Sequence, residues 1–207
     1  LESVKIGIGM AEAVLGTAVG AGEQIADLLK EMKAKAIQAS SGGLSTTDRN
    51  AISADITALQ TQIGTITNTA EFNGINLINA TTTLTIAGDK DGGNQINVTG
   101  ASLGSSVAID VSTVTNAAST AASIQAQLTT VLTTLAAFGS AQQRIESQGL
   151  LTDTLLDSLT AGVGSLVDAD MARESSRLQS LQIQQQLGVQ ALGIANSSPQ
   201  TILGLFG

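Results

Sequence analysis

Residues 45–70, "STTDRNAISADITALQTQIGTITNTA", predict the element around which the rest of this chain must fold. Apolar side chains recur there at steps of four and three residues, at Ile52, Ile56, Leu59, Ile63, Ile66 and Ala70. That spacing places them on one seam of a helix, with polar residues outside it. Ser45 with Asp48 resembles a capping box, with Asp in place of Glu, and predicts the start of the helix. One such helix cannot bury its seam alone, so it needs partner helices.

A first partner is predicted on the N-terminal side. Residues 23–39 carry helical spacing of the apolar residues Ile25, Leu28, Leu29, Met32 and Ala36. Residues 1–22 are expected to extend the same helix, although five glycines weaken it. The "SSGGLS" stretch at 40–45 predicts the turn between the two helices.

The character of the chain changes over residues 71–112. Four short β-branched stretches, "FNGINLI", "TLTIAG", "QINVTG" and "VAIDVS", are separated by Gly, Asn and Asp and are typical of hairpin strands. "GDKDGG" at 88–93 predicts an exposed turn. Asp89, Asp91 and Asn94 are oxygen donors there, but they lack EF-hand spacing and its distal Glu, so a solvated turn is expected.

A second partner helix is predicted from Val114 to Leu159. Its stripe comprises Ile124, Leu128, Val131, Leu135, Phe138 and Ile145, continued by Leu151, Leu155 and Leu159. "TAGVGSLVDAD" at 160–170 predicts a glycine-containing joint, after which Asp168 or Asp170 would cap a last helix. Pro199 is expected to end or kink that helix.

The order of elements predicts a mainly α fold, an elongated bundle of long antiparallel helices with a small β-hairpin region at one end and a C-terminal coiled-coil-type helix. The expected divisions are core-domain N-terminal helices at 1–70, a β-hairpin or variable region at 71–113, a core-domain long helix at 114–160, and a joint with a terminal helix at 161–207.

Composition narrows the classes of function. The chain has no Cys and no His, which removes the usual thiolate nucleophile, general base and metal ligand, so no enzyme activity, cofactor or metal is expected. The pairs Asp153/Asp157 and Asp168/Asp170 are more simply caps or solvated positions than catalytic carboxylates. A net charge of −8 argues against nucleic-acid binding, because contact with phosphates needs a basic surface. The sequence contains no run of eighteen uninterrupted apolar residues, so no membrane-spanning helix is predicted.

The C-terminal tail is apolar and uncharged. Nothing from Leu178 onward carries a charge, thirty residues in all. Its large apolar side chains are Leu178, Leu181, Leu187, Leu192, Ile202, Leu203, Leu205 and Phe206. Such a tail is poorly matched to water and is expected to bury itself among identical tails as a polymerisation interface. The alternative is the last helix of an ordinary monomeric bundle.

Three segments together resemble bacterial flagellin. They are "EMKAKAIQASSGGLSTTDRNAISADITALQTQI" at 31–63, "AEFNGINLIN" at 70–79 and "SLVDADMARESSRLQSLQIQQQLGVQALGIANSSPQTILGLFG" at 165–207. A flagellin normally opens with a further N-terminal stretch that is absent here, which puts self-assembly of this piece in doubt. The short middle region implies a thin, smooth filament subunit.

The resemblance implies a structural subunit of the flagellar filament that polymerises through its terminal helices into a helical tube for swimming motility. It implies a secreted, extracellular location in the bacterial flagellum. The implied partners are other copies of the chain, an export chaperone at the C-terminal helix, and filament cap and junction proteins, with no nucleic acid or membrane. The alternatives are a hook–filament junction protein of the same superfamily and a monomeric helical binding module or adhesin.

The resemblance also indicates a receptor epitope. Many flagellins present a surface that a Toll-like receptor binds. It is formed by an Arg and a Leu one turn apart on the first core helix and a Glu on the second. Glu31, Lys35 and Asp55 occupy the equivalent positions in this sequence. Relative to that pattern, Glu31 reverses a charge and Lys35 replaces an apolar side chain. We therefore expect at most a weak contact with that receptor.

Overall fold

The fold is mainly helical, with one small antiparallel sheet. In a computed structural model, residues 1–89 and 91–203 are described, their side chains as far as residue 195. The elements are α1 (Glu2–Ala39), α2 (Thr46–Thr69), β1 (Thr83–Ala87), β2 (Gln95–Thr99) and α3 (Val114–Leu203). The chain divides into two compact units, Leu1–Thr154 and Leu155–Gly207. Helix α3 contributes residues to both.

Helix α1 supplies one wall of the core of the first unit. Its buried side chains follow helical spacing and include Leu15, Ile25 and Met32, each at most 1% exposed. The predicted extension through the glycine-containing residues 1–22 is confirmed, since the helix runs unbroken from Glu2. By length and composition α1 is also apolar enough to cross a membrane. Its apolar stripe is instead packed in the protein core, together with residues of α2 and α3.

Helix α2 begins as its sequence predicts. The Ser45 hydroxyl accepts from the Asp48 amide at 3.2 Å, and the Asp48 carboxylate accepts from the Ser45 amide at 3.0 Å, which completes the capping box. On the predicted seam, Ile52, Ile56, Ile63 and Ala70 are buried, while Leu59 and Ile66 are half-buried against the same core. The seam is therefore confirmed as the face that joins α2 to its partners.

A buried arginine joins α1 to α2. Arg49 is only 7% exposed, and its guanidinium donates to the carbonyls of Ala39 and, at 3.1 Å, Ser41. Those carbonyls lie at the C-terminal end of α1, where backbone acceptors lack helical partners and a positive charge is favoured. Arg49 thus fixes the turn at 40–45, a role that the spacing of apolar residues does not indicate.

Of the four predicted strands, two form and two do not. β1 pairs with β2, with Thr83 opposite Thr99 and Ala87 opposite Gln95. "FNGINLI" forms a single bridge between Phe72 and Ile75 around a tight Asn-Gly turn whose two residues have positive φ.

"VAIDVS" forms no strand, and its residues instead connect to the first turns of α3 through hydrogen bonds. The Asp110 carboxylate accepts from the Ser112 amide at 3.0 Å and from the Asn116 side chain at 2.6 Å. The Thr120 hydroxyl donates to the Asp110 carbonyl at 2.8 Å. Val111 is buried beside this network. The β-branched residues therefore serve packing rather than strand pairing.

The predicted joint at 160–170 is also wrong, because α3 continues through it. Asp168 and Asp170 lie inside the helix and cap nothing. Glycines such as Gly162 and Gly164 cost about 1 kcal/mol each, which weakens a helix without ending it. Pro199 does not end the helix either: α3 runs on to Leu203 although proline removes one backbone donor.

Gly100 lies close to the backbone of Leu77 and Ala80, which gives a test of the packing in the first unit. A Cβ there would lie 2.6 Å from the Leu77 carbonyl oxygen and 2.8 Å from that of Ala80. We expect Gly100→Ala to lower the free energy of unfolding of the monomer by about 1–3 kcal/mol, because backbone atoms must shift. Gly16→Ala, where a Cβ meets nothing within 4 Å, should instead stabilise by about 0.4–1 kcal/mol. Equal denaturation midpoints for the two variants would contradict this packing.

Candidate functional site

The second unit exposes the large apolar side chains that a folded domain normally buries. They are between 43% and 73% exposed, at Leu155, Leu159, Val163, Leu166, Val167, Met171, Leu178, Leu181, Ile183, Leu187, Val189, Leu192 and Ile194. On the same helix within the first unit, Ile124, Val131 and Ile145 are fully buried and Phe138 is 1% exposed. Exposed apolar side chains in this number mark an interaction site rather than an ordinary solvated face.

The predicted polymerisation residues divide into two groups. Leu178, Leu181, Leu187 and Leu192 are exposed, by 53%, 52%, 58% and 72%. Ile202, Leu203, Leu205 and Phe206 lie outside the residues whose side chains the structure describes. The exposed apolar set is also wider than the predicted one, because the stripe that sequence periodicity assigned to a core continues in solvent at Leu155 and Leu159.

The apolar residues beyond Leu178 form two stripes on opposite faces of α3. At roughly 100° per residue, the first stripe is Leu178, Leu181, Val189 and Leu192. The second stripe is Ile183, Leu187 and Ile194, about 180° away around the helix axis. A single partner helix covers only one face, and a helix that is apolar on both sides is buried among several neighbours. This arrangement therefore fits contacts on two sides.

Most polar groups within and between the stripes are uncharged amides. Gln185, Gln186 and Gln190 line a shallow concavity on α3 together with Val189. This concavity is a groove between side chains of one helix, open to solvent, and it does not enclose a small molecule. Glutamine can hydrogen-bond to a neighbour without the cost of burying a charge.

In the turn at the tip of the hairpin, the Asp89 carboxylate accepts hydrogen bonds from the turn itself. Asp89 accepts backbone N–H groups from Asp91 at 3.1 Å, Gly93 at 2.9 Å and Asn94 at 2.9 Å. Hydrogen bonds from these amides, above all that of Asn94, hold the pKa of Asp89 below its ordinary value. Among the described residues no group of three or more acidic side chains is placed to hold a metal ion. Asp89 therefore organises the turn.

The carboxylate pairs do not form a reaction centre in the described chain. Asp153 makes an ion pair with Lys5 at 2.7 Å, and both side chains are about half exposed. Asp168 and Asp170 lie on the exposed surface of α3. Nothing in either arrangement places two carboxyl groups around an enclosed cleft, which a glycosidase-type mechanism requires.

Glu31, Lys35 and Asp55 are brought together across α1 and α2. The Lys35 ammonium donates to the Asp55 carboxylate at 2.8 Å. All three residues line one shallow concavity that also includes Leu59 and Gln62. The hydrogen bond with Asp55 raises the pKa of Lys35, and the nearby negative charge of Glu31 adds to that shift.

Comparisons with known proteins agree on one family. Residues 2–83 match the model of the bacterial flagellin N-terminal helical region, and residues 121–206 match that of the C-terminal helical region. Flagellin FljO of Caulobacter vibrioides is 39% identical over all of this chain and 77% of its own length. A flagellin of Brucella melitensis is 35% identical over 99% of this chain and 78% of its own length.

A solved structure supports the fold. The crystal structure of Bacillus cereus flagellin superposes with a TM-score of 0.64 at 19% sequence identity. The match covers 69% of this chain and 85% of that one. At this low identity the likeness establishes the shared architecture alone.

The contrast between buried and exposed residues of α3 gives a stability test. We expect Phe138→Ala to lower the free energy of unfolding of residues 1–154 by about 3–5 kcal/mol, because it leaves a cavity. Leu187→Ala should change it by less than about 0.5 kcal/mol, because its side chain is exposed in the monomer. Denaturant unfolding of monomers measures both. A large loss for Leu187→Ala would show that this side chain packs within its own chain.

Proposed function

The chain belongs to the bacterial flagellin family and is a structural subunit of the flagellar filament; we propose that it polymerises through the two apolar stripes of α3 beyond Leu178. The sequence predicts eight residues for the interface, of which the first four lie in these stripes: Leu178, Leu181, Leu187, Leu192, Ile202, Leu203, Leu205 and Phe206. The observation that carries the proposal is the exposure of the four leucines whose side chains are described, each more than half exposed.

The energetics favour burial among copies. Burying one large aliphatic side chain stabilises an assembly by about 1.5–3 kcal/mol. Loss of translational and rotational freedom opposes association by several kcal/mol, and ordering of side chains adds to that cost. Eight such residues exceed these costs and leave on the order of 10 kcal/mol for each subunit.

The geometry favours a polymer over a closed dimer. Since the two stripes lie on opposite faces of α3, a subunit paired through one stripe still exposes the other. Each copy then offers a free surface to the next, and a heterologous contact that does not close on itself builds a helical filament. The uncharged glutamines between the stripes allow neighbouring helices to approach without desolvating ions.

The same exposed surface supports the proposed partners. The flagellar filament is extracellular, so its subunits must leave the cell. We propose that an export chaperone covers the C-terminal helix before secretion, because such an apolar surface aggregates when left in water. Cap and junction proteins would meet the same stripes at the two ends of the filament.

Substitutions within the stripes test the polymerisation surface. We expect Leu181→Gln/Leu192→Gln in the first stripe, and Leu187→Gln in the second, each to raise the critical concentration for seeded assembly at least about tenfold. One tenfold change corresponds to about 1.4 kcal/mol, less than the burial of one leucine. Sedimentation of the full-length protein after addition of filament seeds measures the effect.

The matched control is Gln186→Asn, which lies between the stripes and should assemble like the wild type. Wild-type assembly by either leucine variant would contradict the two-sided contact. Loss of assembly by the control would show that the effect is not specific to the apolar stripes.

We further propose that the cluster of Glu31, Lys35 and Asp55 makes this flagellin a weak ligand for the flagellin-sensing Toll-like receptor. Its support is the ion pair between Lys35 and Asp55, which engages both side chains within the protein. Glu31 presents a negative charge beside it, where the resemblance implies a positive one. An acidic position and a lysine replace the arginine and apolar anchors that dominate protein interfaces.

A double substitution tests this second proposal. We expect Glu31→Arg/Lys35→Leu to lower the concentration for half-maximal reporter-cell response at least about tenfold, because it creates two hot-spot side chains. Lys30→Leu on the same helix, whose ion pair is with Asp27, is the control and should leave the response unchanged. A potent response to the unmodified full-length protein would refute the proposal.

A further inference from the structure

Six charged side chains lie in the second unit, and four of them cluster on one face of α3, with Asp157 and Asp168 on the opposite face. The four, Asp170, Arg173, Glu174 and Arg177, are all exposed. None of their side chains takes part in an ion pair or side-chain hydrogen bond found in the described part of the chain. Within those residues their charged groups therefore make no direct contact with a protein group of opposite charge.

The four charges form two rows along α3. Asp170 and Glu174 are four residues apart, which is about 40° around the axis and about 6 Å along it. Arg173 and Arg177 repeat that relation, and the two rows lie about 60° apart. Like charges at this spacing repel within a helix. Opposite charges three residues apart, Asp170 with Arg173 and Glu174 with Arg177, offset that repulsion, so the helix tolerates an acidic row beside a basic row.

The rows lie on the face that carries the apolar seam. Val163 and Leu166 precede them and Leu181 follows, so that the positions 163, 166, 170, 173, 177 and 181 advance by three or four residues. A neighbour that buries Val163 and Leu181 must also cover the charges between them. Covering a charge is costly unless an opposite charge meets it there.

We propose that Asp170, Glu174, Arg173 and Arg177 form a register lock between copies of this chain, in which the acidic row of one subunit pairs with the basic row of the next. A second copy is the occupant because one surface carries both complementary rows and continues the proposed polymerisation stripes. The inference therefore rests on the proposed mode of polymerisation. A neighbour shifted along the helix would place these charges against Val163 or Leu181, so the rows select one register.

Charge reversal of each row tests the lock. The acidic-row variant, Asp170→Arg/Glu174→Arg, presents only positive charge, and the basic-row variant, Arg173→Glu/Arg177→Glu, presents only negative charge. We expect each variant alone to show a critical concentration for seeded assembly at least about tenfold above wild type at low ionic strength, because copies then repel each other. Added salt should narrow that gap by screening.

Mixing distinguishes pairing between copies from pairing within one helix. An equimolar mixture of the two variants should return to within about threefold of the wild-type critical concentration, because the positive face of one meets the negative face of the other. Pairing of Asp170 with Arg173 on the same helix cannot be restored by mixing. Circular dichroism of the monomers checks that helix content is unchanged, and the fourfold exchange Asp170→Arg/Arg173→Glu/Glu174→Arg/Arg177→Glu should assemble alone.

Two results would overturn the lock. Wild-type assembly by each variant alone would show that the charges stay solvated, and loss of assembly that mixing does not rescue would place their partner elsewhere on the molecule. The leucine substitutions in the stripes test the polymerisation surface itself, independently of either result. If those variants also assemble normally, the proposed polymerisation surface itself fails.

Discussion

The molecule depends on one constraint: within the described residues, the apolar side chains of its second unit stay exposed to solvent. In the first unit, side chains from all three helices close around one another, and Leu15, Ile25 and Phe138 are almost completely removed from water. Helix α3 takes part in that core as far as Ile145. Beyond Thr154 the same helix keeps an apolar composition, but Leu159, Leu166 and Leu192 remain more than half exposed. Exposure of that surface is what the proposed polymerisation would remove.

The first unit is built so that assembly is not needed for it to fold. The capping box of Ser45 and Asp48, the Arg49 hydrogen bonds to the end of α1, and the Asp110 network before α3 satisfy polar groups locally. Its buried apolar cluster reaches from α1 to the hairpin. The two units therefore differ physically: the first buries its apolar side chains within itself, and the described side chains of the second stay exposed.

Local rules explain why much of the fold was predictable. The periodicity of Ile52, Ile56 and Ile63, and the pairing of Ser45 with Asp48, depend on neighbours within a few residues and were confirmed. The strand at "VAIDVS" was not, because residues of this stretch hydrogen-bond to the start of α3 and Val111 packs into the core. Gly162 and Gly164 indicated a joint because glycine weakens a helix, yet an isolated glycine costs only about 1 kcal/mol and a long helix tolerates it.

The exposure of the apolar side chains was predictable, whereas their arrangement was not. An uncharged, leucine-rich tail indicated an exposed apolar surface, and the two opposite stripes and the two charge rows follow only once α3 is known to be continuous. Arg49 was missed because a lone arginine gives no periodic signal. Glu31, Lys35 and Asp55 were aligned from a resemblance, and their ion pair depends on the packing of α1 against α2.

Amide hydrogen exchange, compared between monomer and filament, tests the central claim most directly. In the monomer, we expect the amides of residues 178–195 to exchange orders of magnitude faster than those of residues 131–145, because no tertiary packing supports that part of α3. In the filament, the two segments should be protected to a similar degree. Strong protection of residues 178–195 in a verified monomer would show that the apolar surface is already covered by its own chain, and would contradict the account.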